Sequence, residues 1–266
     1  MAHAASVVPF VKGAYSKSLA TDSLFRGRPL EPVVLGRAPG EQAQAFLDSE
    51  ADAWFERNQD ALQRAAPERD VLYNTVLEHV ADRDTRGTPL KILEIGCANG
   101  YRLRWFKDAG FDVRGVDASS AAIADGIERL GLSDSELQVG DAATFLAENR
   151  ERFDVILFGF CLYLADPVDI PTIVAGTVAQ LVDDGLICIW DFDAPVHRTH
   201  YRHRPGIFSY KTSFDRWFTW LPYVRLRSKR VLPHGEGTAI GDASEDCAVA
   251  VLQKVPVERF YQGISH

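Results

Sequence analysis

LKILEIGCANGYRLRWF, residues 90–106, joins an apolar run to a glycine-containing loop and then to a helical pattern. The apolar run covers residues 90–95, the loop covers residues 96–100, and large apolar side chains resume at helical spacing from Leu103. A strand, a tight glycine loop and a helix in this order are typical of ligand sites, because free backbone N–H groups lie at the helix start. The stretch therefore predicts a nucleotide or cofactor site.

Short apolar strands alternate with helical patterns from residue 90 to Asp193. Strands are predicted for KILEIG, DVRGVD, LQVGD, DVILFGF and GLICIWDF, and helices near 99–109, 119–131, 142–149 and 168–183. Because these strands are apolar, we expect a parallel sheet covered by helices on both faces. Right-handed crossovers then predict a doubly wound α/β fold.

The chain divides by pattern into three parts. Residues 1–40 hold scattered prolines and glycines without sustained periodicity, which indicates an extended N-terminal arm. Residues 41–85 show helical spacing and are predicted to form N-terminal helices that cap the site. Residues 86–266 are predicted to form the α/β domain, with a substrate loop at 192–212. YVRLRSKRVL and EDCAVAVLQKV are expected to pair as a closing β-hairpin joined by PHGEGTAIGDAS.

Composition excludes several functional classes. The 266 residues are 46% hydrophobic and 25% charged, which suits one sizeable globular domain. A net charge of -8 argues against a nucleic-acid partner, since binding to phosphates needs a basic face. No apolar run reaches the roughly 18–20 residues that cross a bilayer, and the N-terminus has no signal-peptide pattern, so no membrane partner and a cytoplasmic protein are expected.

The spacing of the loop disfavours two common ligands. A dinucleotide loop needs G-x-G-x-x-G, whereas the glycines here are Gly96 and Gly100. A P-loop needs lysine after its second glycine, and Tyr101 stands there. An NAD-linked dehydrogenase is kept as an alternative, because an acidic residue such as Asp117 at the end of the second strand also suits NAD.

The sequence of the loop resembles the first motif of class I S-adenosylmethionine-dependent methyltransferases, commonly E/D-x-G-x-G-x-G. Here the motif reads Glu94-Ile95-Gly96-Cys97-Ala98-Asn99-Gly100, with Ala98 in place of the middle glycine. The resemblance implies a mostly parallel seven-stranded Rossmann-like sheet with an antiparallel last strand. It also implies S-adenosyl-L-methionine as cofactor, S-adenosyl-L-homocysteine as product, and cofactor contacts from Glu94, Gly96, Cys97, Ala98 and Gly100.

The resemblance continues in register after the next three strands. It implies that Asp117, followed by Ala118, accepts hydrogen bonds from the ribose hydroxyls, and that Asp141 and Ala142 read the adenine edge. Phe158 and Phe160 would lie beneath the cofactor. Plainer interpretations remain open, because Asp117 and Asp141 also suit helix N-caps and both phenylalanines suit the core.

The segment DFDAPVHRTHYRHRPGIFSYK, residues 191–211, concentrates histidine and arginine in an acidic chain. We interpret it as a substrate lid in which His200 or His203 is the general base. A solvated basic loop is the alternative. Residues proposed to bind the acceptor are Arg198, Tyr201, Arg202 and Tyr210 here, Trp54, Phe55 and Arg57 on the preceding helix, and Tyr163, which is also a catalytic candidate; Trp54 and Phe55 suit ordinary helix core equally.

The predicted reaction is O-methylation of a small, anionic or sugar-like metabolite. No metal is expected, because the fourth-strand loop GFCLYL lacks carboxylates and the four cysteines lack a C-x-x-C pair. A narrower resemblance points to bacterial small-molecule methyltransferases of polysaccharide or secondary-metabolite (natural product) pathways. N-methylation and a non-catalytic S-adenosylmethionine-binding subunit remain alternatives, and a homodimer is left open.

Overall fold

The computed structural model describes residues 40–83, 87–195, 197–234 and 245–260. The predicted N-terminal arm therefore lies outside the described residues, apart from Gly40. The described strands are β1 Lys91–Ile95, β2 Asp112–Asp117, β3 Leu137–Val139, β4 Phe153–Gly159, β5 Leu181–Phe192, β6 His197–His200, β7 Phe208–Lys211, β8 Val224–Pro233 and β9 Asp246–Lys254.

Helices flank these strands along the chain. They are α1 Glu41–Ala45, α2 Ala51–Gln63, α3 Val71–Val80, α4 Tyr101–Asp108, α5 Ser120–Leu130, α6 Ala142–Glu148, α7 Ile170–Gln180, α8 Asp215–Thr219 and α9 Val257–Phe260. A π-helical segment, Phe46–Glu50, connects α1 to α2, and short 3-10 turns cover Pro67–Arg69 and Leu162–Leu164. None of the helices in the described ranges has the length and apolar content needed to cross a membrane.

Seven strands form one sheet in the order β3-β2-β1-β4-β5-β9-β8. Strands β1 to β5 are mutually parallel, and β9 is antiparallel to both of its neighbours, β5 and β8. This confirms the predicted doubly wound α/β fold with an antiparallel last strand. The strand order reverses between β1 and β4, and such a switch point opens a crevice at the carboxyl ends of the strands.

The core lies on both faces of the sheet, as the apolar strands predicted. Along β4, Ile156 and Phe158 pack into one cluster, whereas Val155 and Leu157 pack into the other. All four side chains are fully buried. A central parallel strand has this pattern because helices cover both of its faces.

Two elements differ from the sequence-based predictions. Helix α7 ends at Gln180 rather than near 183, because β5 begins at Leu181 and pairs with Phe153 of β4. The segment predicted as a substrate loop contains the antiparallel hairpin of β6 and β7, in which Arg198 pairs with Tyr210. The sequences of β6 and β7 do not alternate between apolar and polar residues, because polar side chains lie on both faces of the hairpin.

Candidate cofactor and acceptor site

A cleft of roughly 310 Å³ lies at the carboxyl ends of β1, β2 and β4, where the strand order reverses. This position is the usual ligand site of doubly wound sheets. The predicted site residues that line it are Trp54, Glu94, Gly96, Cys97, Ala98, Asp117, Ala118, Asp141, Ala142 and Phe160.

The glycine loop turns sharply between β1 and α4. Gly96 has φ 70°, and a Cβ atom there would lie 2.6 Å from Cβ of Cys161. Glycine is needed here because positive φ is costly for other residues and a Cβ atom would overlap the Cys161 side chain. Ala98 adopts φ 50° and lines the cleft, whereas Gly100 forms the N-cap of α4 and does not line it.

The Asp117 carboxylate holds this loop in place. Its Oδ2 accepts the backbone N–H of Ala98 at 2.8 Å, and its Oδ1 accepts that of Ser119 at 2.8 Å. Burial raises the pKa of Asp117, and the two backbone N–H bonds act against that rise. Each carboxylate oxygen retains a lone pair, so the group can accept two further hydrogen bonds from the cleft side.

A buried ionic cluster supports the loop from below. The Arg102 guanidinium donates from Nε and Nη2 to Asp70 at 3.0–3.1 Å, and from Nη1 to Oε1 of Glu94. Burial is the main cause that raises the pKa of Glu94 to about 7, partly opposed by Arg102. The cation therefore stabilises two carboxylates that are both excluded from water.

Two buried side-chain nitrogen or oxygen atoms in the described chain have no hydrogen-bond partner: Oε2 of Glu94 and Nε1 of Trp190. Both residues line the cleft. A buried acceptor and a buried donor that are left unpaired are costly, so such atoms call for a partner that arrives with a ligand. The Glu94 oxygen can accept a hydrogen bond from an ammonium group, and the Trp190 N–H can donate one to a carboxylate, so the two atoms suit a ligand that carries both groups.

Asp141 and the predicted phenylalanines have different surroundings. Asp141 lines the cleft and also caps α6, since its Oδ1 accepts the Thr144 N–H at 3.0 Å. Phe160 lines the cleft, but Phe158 is fully buried in the core with its ring 6.0 Å from that of Phe218. The placement of Phe158 beneath the cofactor is therefore corrected to a core position, because its side chain points into the cluster under α7 and α8.

The N-terminal helices and the β6–β7 hairpin are joined by hydrogen bonds. The buried Gln42 amide donates to the carbonyls of Leu164 and Phe208 and accepts the Phe208 N–H. Arg57 donates to Glu50 at 2.6 Å and to the Tyr201 hydroxyl at 3.2 Å. Phe55 is 2% exposed and does not line the cleft, so the core interpretation holds for it.

The predicted acceptor residues of the hairpin do not line the cleft. The Arg198 guanidinium stacks on the Phe208 ring at 3.3 Å, the exposed His200 ring lies 4.8 Å from Phe208, and Tyr210 packs nearby. His203 is exposed and accepts a hydrogen bond from Nε of Arg202. Partial burial and the cations of Arg57 and Arg202 lower the pKa of His203. These side chains contact one another because the segment folds back as a hairpin.

A second group of side chains stands beside Phe160. The Phe160 ring lies 6.4 Å from Tyr163, 5.7 Å from Phe192 and 5.5 Å from His234, with the His234 ring nearly parallel to it. His234 Nδ1 lies 3.0 Å from Oε2 of Glu245. Burial raises the pKa of Tyr163 well above its usual range. We call Phe160, Tyr163, Phe192, Lys211, His234 and Glu245 the aromatic half of the site.

The opposite part, the glycine-loop half, consists of Glu94, residues 96–98, residues 117–118 and residues 141–142. Across the described residues, no three His, Cys, Asp or Glu side chains cluster in a way that could hold a metal ion. The site thus combines a carboxylate-rich loop with an aromatic wall.

Comparison with known proteins agrees with this geometry. A family model described as a methyltransferase domain matches residues 49–240, which is most of the chain. The chain belongs to the methyltransferase-domain family. Its sheet order, loop and cleft are those expected for the class I members that the first motif resembles.

Individual relatives are more distant. A ubiquinone biosynthesis O-methyltransferase from Aromatoleum aromaticum is 31% identical over 108 residues, covering 39% of this chain and 44% of that protein. The match therefore spans less than half the length of this curated relative.

Among solved structures, the 1,6-didemethyltoxoflavin-N1-methyltransferase of Burkholderia thailandensis, with 1,6-didemethyltoxoflavin and S-adenosylhomocysteine bound, superposes with a TM-score of 0.60 at 18% identity. That superposition covers 83% of this chain and 92% of that one. The N-methyltransferase NodS of Bradyrhizobium japonicum gives 0.50 at 19% identity, covering 71% and 99%. At these identities the structures show a shared fold.

Sequence reasoning about this methyltransferase-domain protein missed the residues that stand beside Phe160. His234 directly follows β8, and Glu245 directly precedes β9. The signal that could have found them is the strand pairing. Because β9 is antiparallel to both β5 and β8, the end of β8 and the start of β9 lie at the carboxyl edge of the sheet, where the cleft lies.

Proposed function

We propose that this protein is an S-adenosylmethionine-dependent methyltransferase that O-methylates a small, anionic or sugar-like metabolite without a metal ion. The observation that carries the proposal is the pair of unpartnered polar atoms, Glu94 Oε2 and Trp190 Nε1, in a cleft that also holds the Asp117 carboxylate. The membership of the methyltransferase-domain family supports it.

The residues of the glycine-loop half, together with Trp190, fit the cofactor by charge and hydrogen-bonding type. Glu94 offers an anionic acceptor for an ammonium group, and Trp190 offers a donor for a carboxylate. Asp117 offers one remaining lone pair on each oxygen for two neighbouring ribose hydroxyls. Asp141 and Ala142, at the start of α6, are the proposed contacts of the adenine edge.

When bound, S-adenosylmethionine supplies a methyl group on a positively charged sulfur and leaves as a neutral thioether. The chain itself has three tasks: to hold the donor, to align the acceptor, and to exclude water from the reaction. The aromatic half provides an apolar wall for alignment. The N-terminal helices and the hairpin, joined through Gln42 and Arg57, are proposed to cover the cleft as a cap.

The choice of O-methylation of a small metabolite rests on two supports. The curated relative that matches part of the chain is described as an O-methyltransferase. The hairpin carries Arg198, Arg202 and Arg204 in a chain of net charge -8, which favours an anionic acceptor approaching this side. A bacterial natural-product or polysaccharide pathway would supply acceptors of this kind.

Two measurements test the proposal in sequence. Calorimetric titration should show S-adenosylhomocysteine binding and no NAD binding. Methyl incorporation is then measured with a panel of phenols, carboxylates, sugars and phosphorylated metabolites. We expect an O-methylated product. An N-methylated product would select the alternative reaction, binding without turnover would indicate a non-catalytic subunit, and NAD binding would select a dehydrogenase.

A further inference from the structure

We infer that His234 is the general base for the methyl acceptor, oriented by Glu245, and that Lys211 holds Glu245 in place. The inference deepens the proposed function and rests on it. It replaces the expectation that His200 or His203 has this role. Three observations carry it: the position of His234 in the sheet, its dyad with Glu245, and the link from Glu245 to the β6–β7 hairpin.

The position follows from the sheet topology. Strand β9 is antiparallel to β5, and β8 is antiparallel to β9, so β8 runs in the same direction as β5. The residue that directly follows β8 therefore lies at the carboxyl edge, like the residues that follow β4 and β5. His234 is that residue. Its ring stacks on Phe160, which lines the cleft, and lies 4.8 Å from Phe192.

The hydrogen bond to Glu245 sets the tautomer of the neutral imidazole. Burial acts to raise the pKa of Glu245, but the hydrogen bond and charge of Lys211 lower it overall, so the carboxylate stays ionised. An ionised carboxylate can only accept hydrogen bonds. Nδ1 of His234, at 3.0 Å, therefore donates to this carboxylate, so the lone pair of a neutral ring lies on Nε2.

Lys211 connects this dyad to the hairpin. It ends β7, its side chain is 10% exposed, its Nζ lies 4.1 Å above the Phe192 ring, and it donates to Oε1 of Glu245. Glu245 thus bridges a cation on one side and an imidazole on the other. Among the described residues, Glu245, directly before β9, is the charged group in contact with His234, and Lys211 contacts Glu245 and the Phe192 ring. The Tyr163 ring packs edge-on against Phe192.

The proposed step transfers one proton to His234 and one methyl group to the acceptor oxygen. The acceptor hydroxyl gives its proton to Nε2 of His234, and the oxygen lone pair forms the bond to the methyl carbon. The electrons of the broken carbon–sulfur bond stay on the departing thioether. The resulting imidazolium is stabilised by Glu245, and it passes its proton to water because the His234 side chain is 42% exposed.

The first test needs no acceptor. Nitrogen-15 NMR of the histidine rings should show that the neutral form of His234 carries its proton on Nδ1, and this preference should be lost in Glu245→Gln. Addition of S-adenosylhomocysteine should shift the His234 signals, because the ring stacks on a residue of the cleft wall. His79, bonded to the Thr75 carbonyl on α3 and absent from the cleft wall, is the internal control. A proton on Nε2, or signals unmoved by bound S-adenosylhomocysteine, would overturn the inference.

The second test uses an acceptor selected from the panel. His234→Asn should lower kcat by about 10²- to 10⁴-fold, the range for loss of a general base. Its affinity for S-adenosylhomocysteine should stay within about twofold of the original protein. Glu245→Gln should give a smaller loss that Glu245→Asp partly restores, and His79→Asn should match the original kcat.

The failures of the two proposals are distinct. Absence of S-adenosylhomocysteine binding would count against the proposed function itself. Binding with turnover that His234→Asn leaves intact would count against His234 alone, and would leave alignment of an already nucleophilic group as the source of catalysis.

Discussion

The glycine-loop half comes from one continuous stretch, residues 94–142, whereas the aromatic half draws its side chains from the ends of β4, β5, β7 and β8 and from the start of β9. In the first, each functional group lies in the last two residues of the strand that positions it or within a few residues after it. In the second, His234 and Phe160 are 74 positions apart in the chain and meet only through sheet pairing. One half is thus encoded locally, and the other by topology.

The largest expected difference between the two halves concerns the ionic cluster beneath the glycine loop. Arg102→Leu should lower the free energy of unfolding by about 3–5 kcal/mol, because it leaves the buried Asp70 and Glu94 carboxylates without their cation. Urea unfolding measures this. Arg104→Leu on the same helix is the matched control, and its exposed pair with Asp108 should cost no more than about 1 kcal/mol. Equal losses in the two variants would show that the cluster does not support the fold.

The next effect concerns ligand binding by the glycine-loop half. Asp117→Ala should weaken S-adenosylhomocysteine binding by about 2–3 kcal/mol, the range for charge-assisted hydrogen bonds. Calorimetry provides the affinity. Asp112→Ala, at the exposed start of the same strand, removes a carboxylate without touching the cleft and should bind normally. Undiminished affinity in Asp117→Ala would remove Asp117 from the cofactor contacts.

A smaller effect is expected where the N-terminal helices meet the hairpin. Gln42→Ala removes three hydrogen bonds and should cost about 2 kcal/mol, because the Leu164 and Phe208 backbone groups lose their partner. Hydrogen exchange at the Phe208 amide should accelerate. Gln44→Ala, which loses only an exposed bond to Asp48, is the control. An unchanged exchange rate at Phe208 would mean that the hairpin is held independently of the helices.

The smallest effect distinguishes the capping of α6 by Asp141 from its proposed contact with adenine. Asp141→Ala should cost about 1 kcal/mol of stability through loss of the α6 cap, whereas Asp141→Ser keeps a capping oxygen and should be nearly neutral. S-adenosylhomocysteine affinity is measured on both. If Asp141→Ser is stable and binds as tightly as the original protein, Asp141 is a cap and not an adenine contact.

The fold was predictable because its signals are local. Strand β1, the glycine loop and α4 are adjacent in sequence, and each strand from β1 to β5 carries its own apolar run. The same locality made Asp117 and Asp141 visible, since each ends a strand or begins a helix. Helix α7 was predicted slightly too long because Leu181 and Val182 suit either a helix or a strand.

The remaining features depend on distant contacts. Arg102 reads as an ordinary helix surface residue until folding brings Asp70 beside it from 32 positions away. Phe158 and Phe160 looked equivalent because alternate strand residues share a face. The strand ends at Gly159, and Phe160 turns out of it with φ 54°, so only Phe160 reaches the cleft. The β6–β7 hairpin lacked an apolar alternation that would have marked it as strand.

Among the described residues, three that are not glycine have left-handed φ values: Ala98, Phe160 and Asp184. Two of these line the cleft. A left-handed conformation costs such residues roughly 1–3 kcal/mol, which the surrounding structure must supply. Glycine at position 160 would relax the backbone but would remove the ring that supports His234. With the proposed role of His234, selection for thermal stability alone would favour this replacement at the expense of activity.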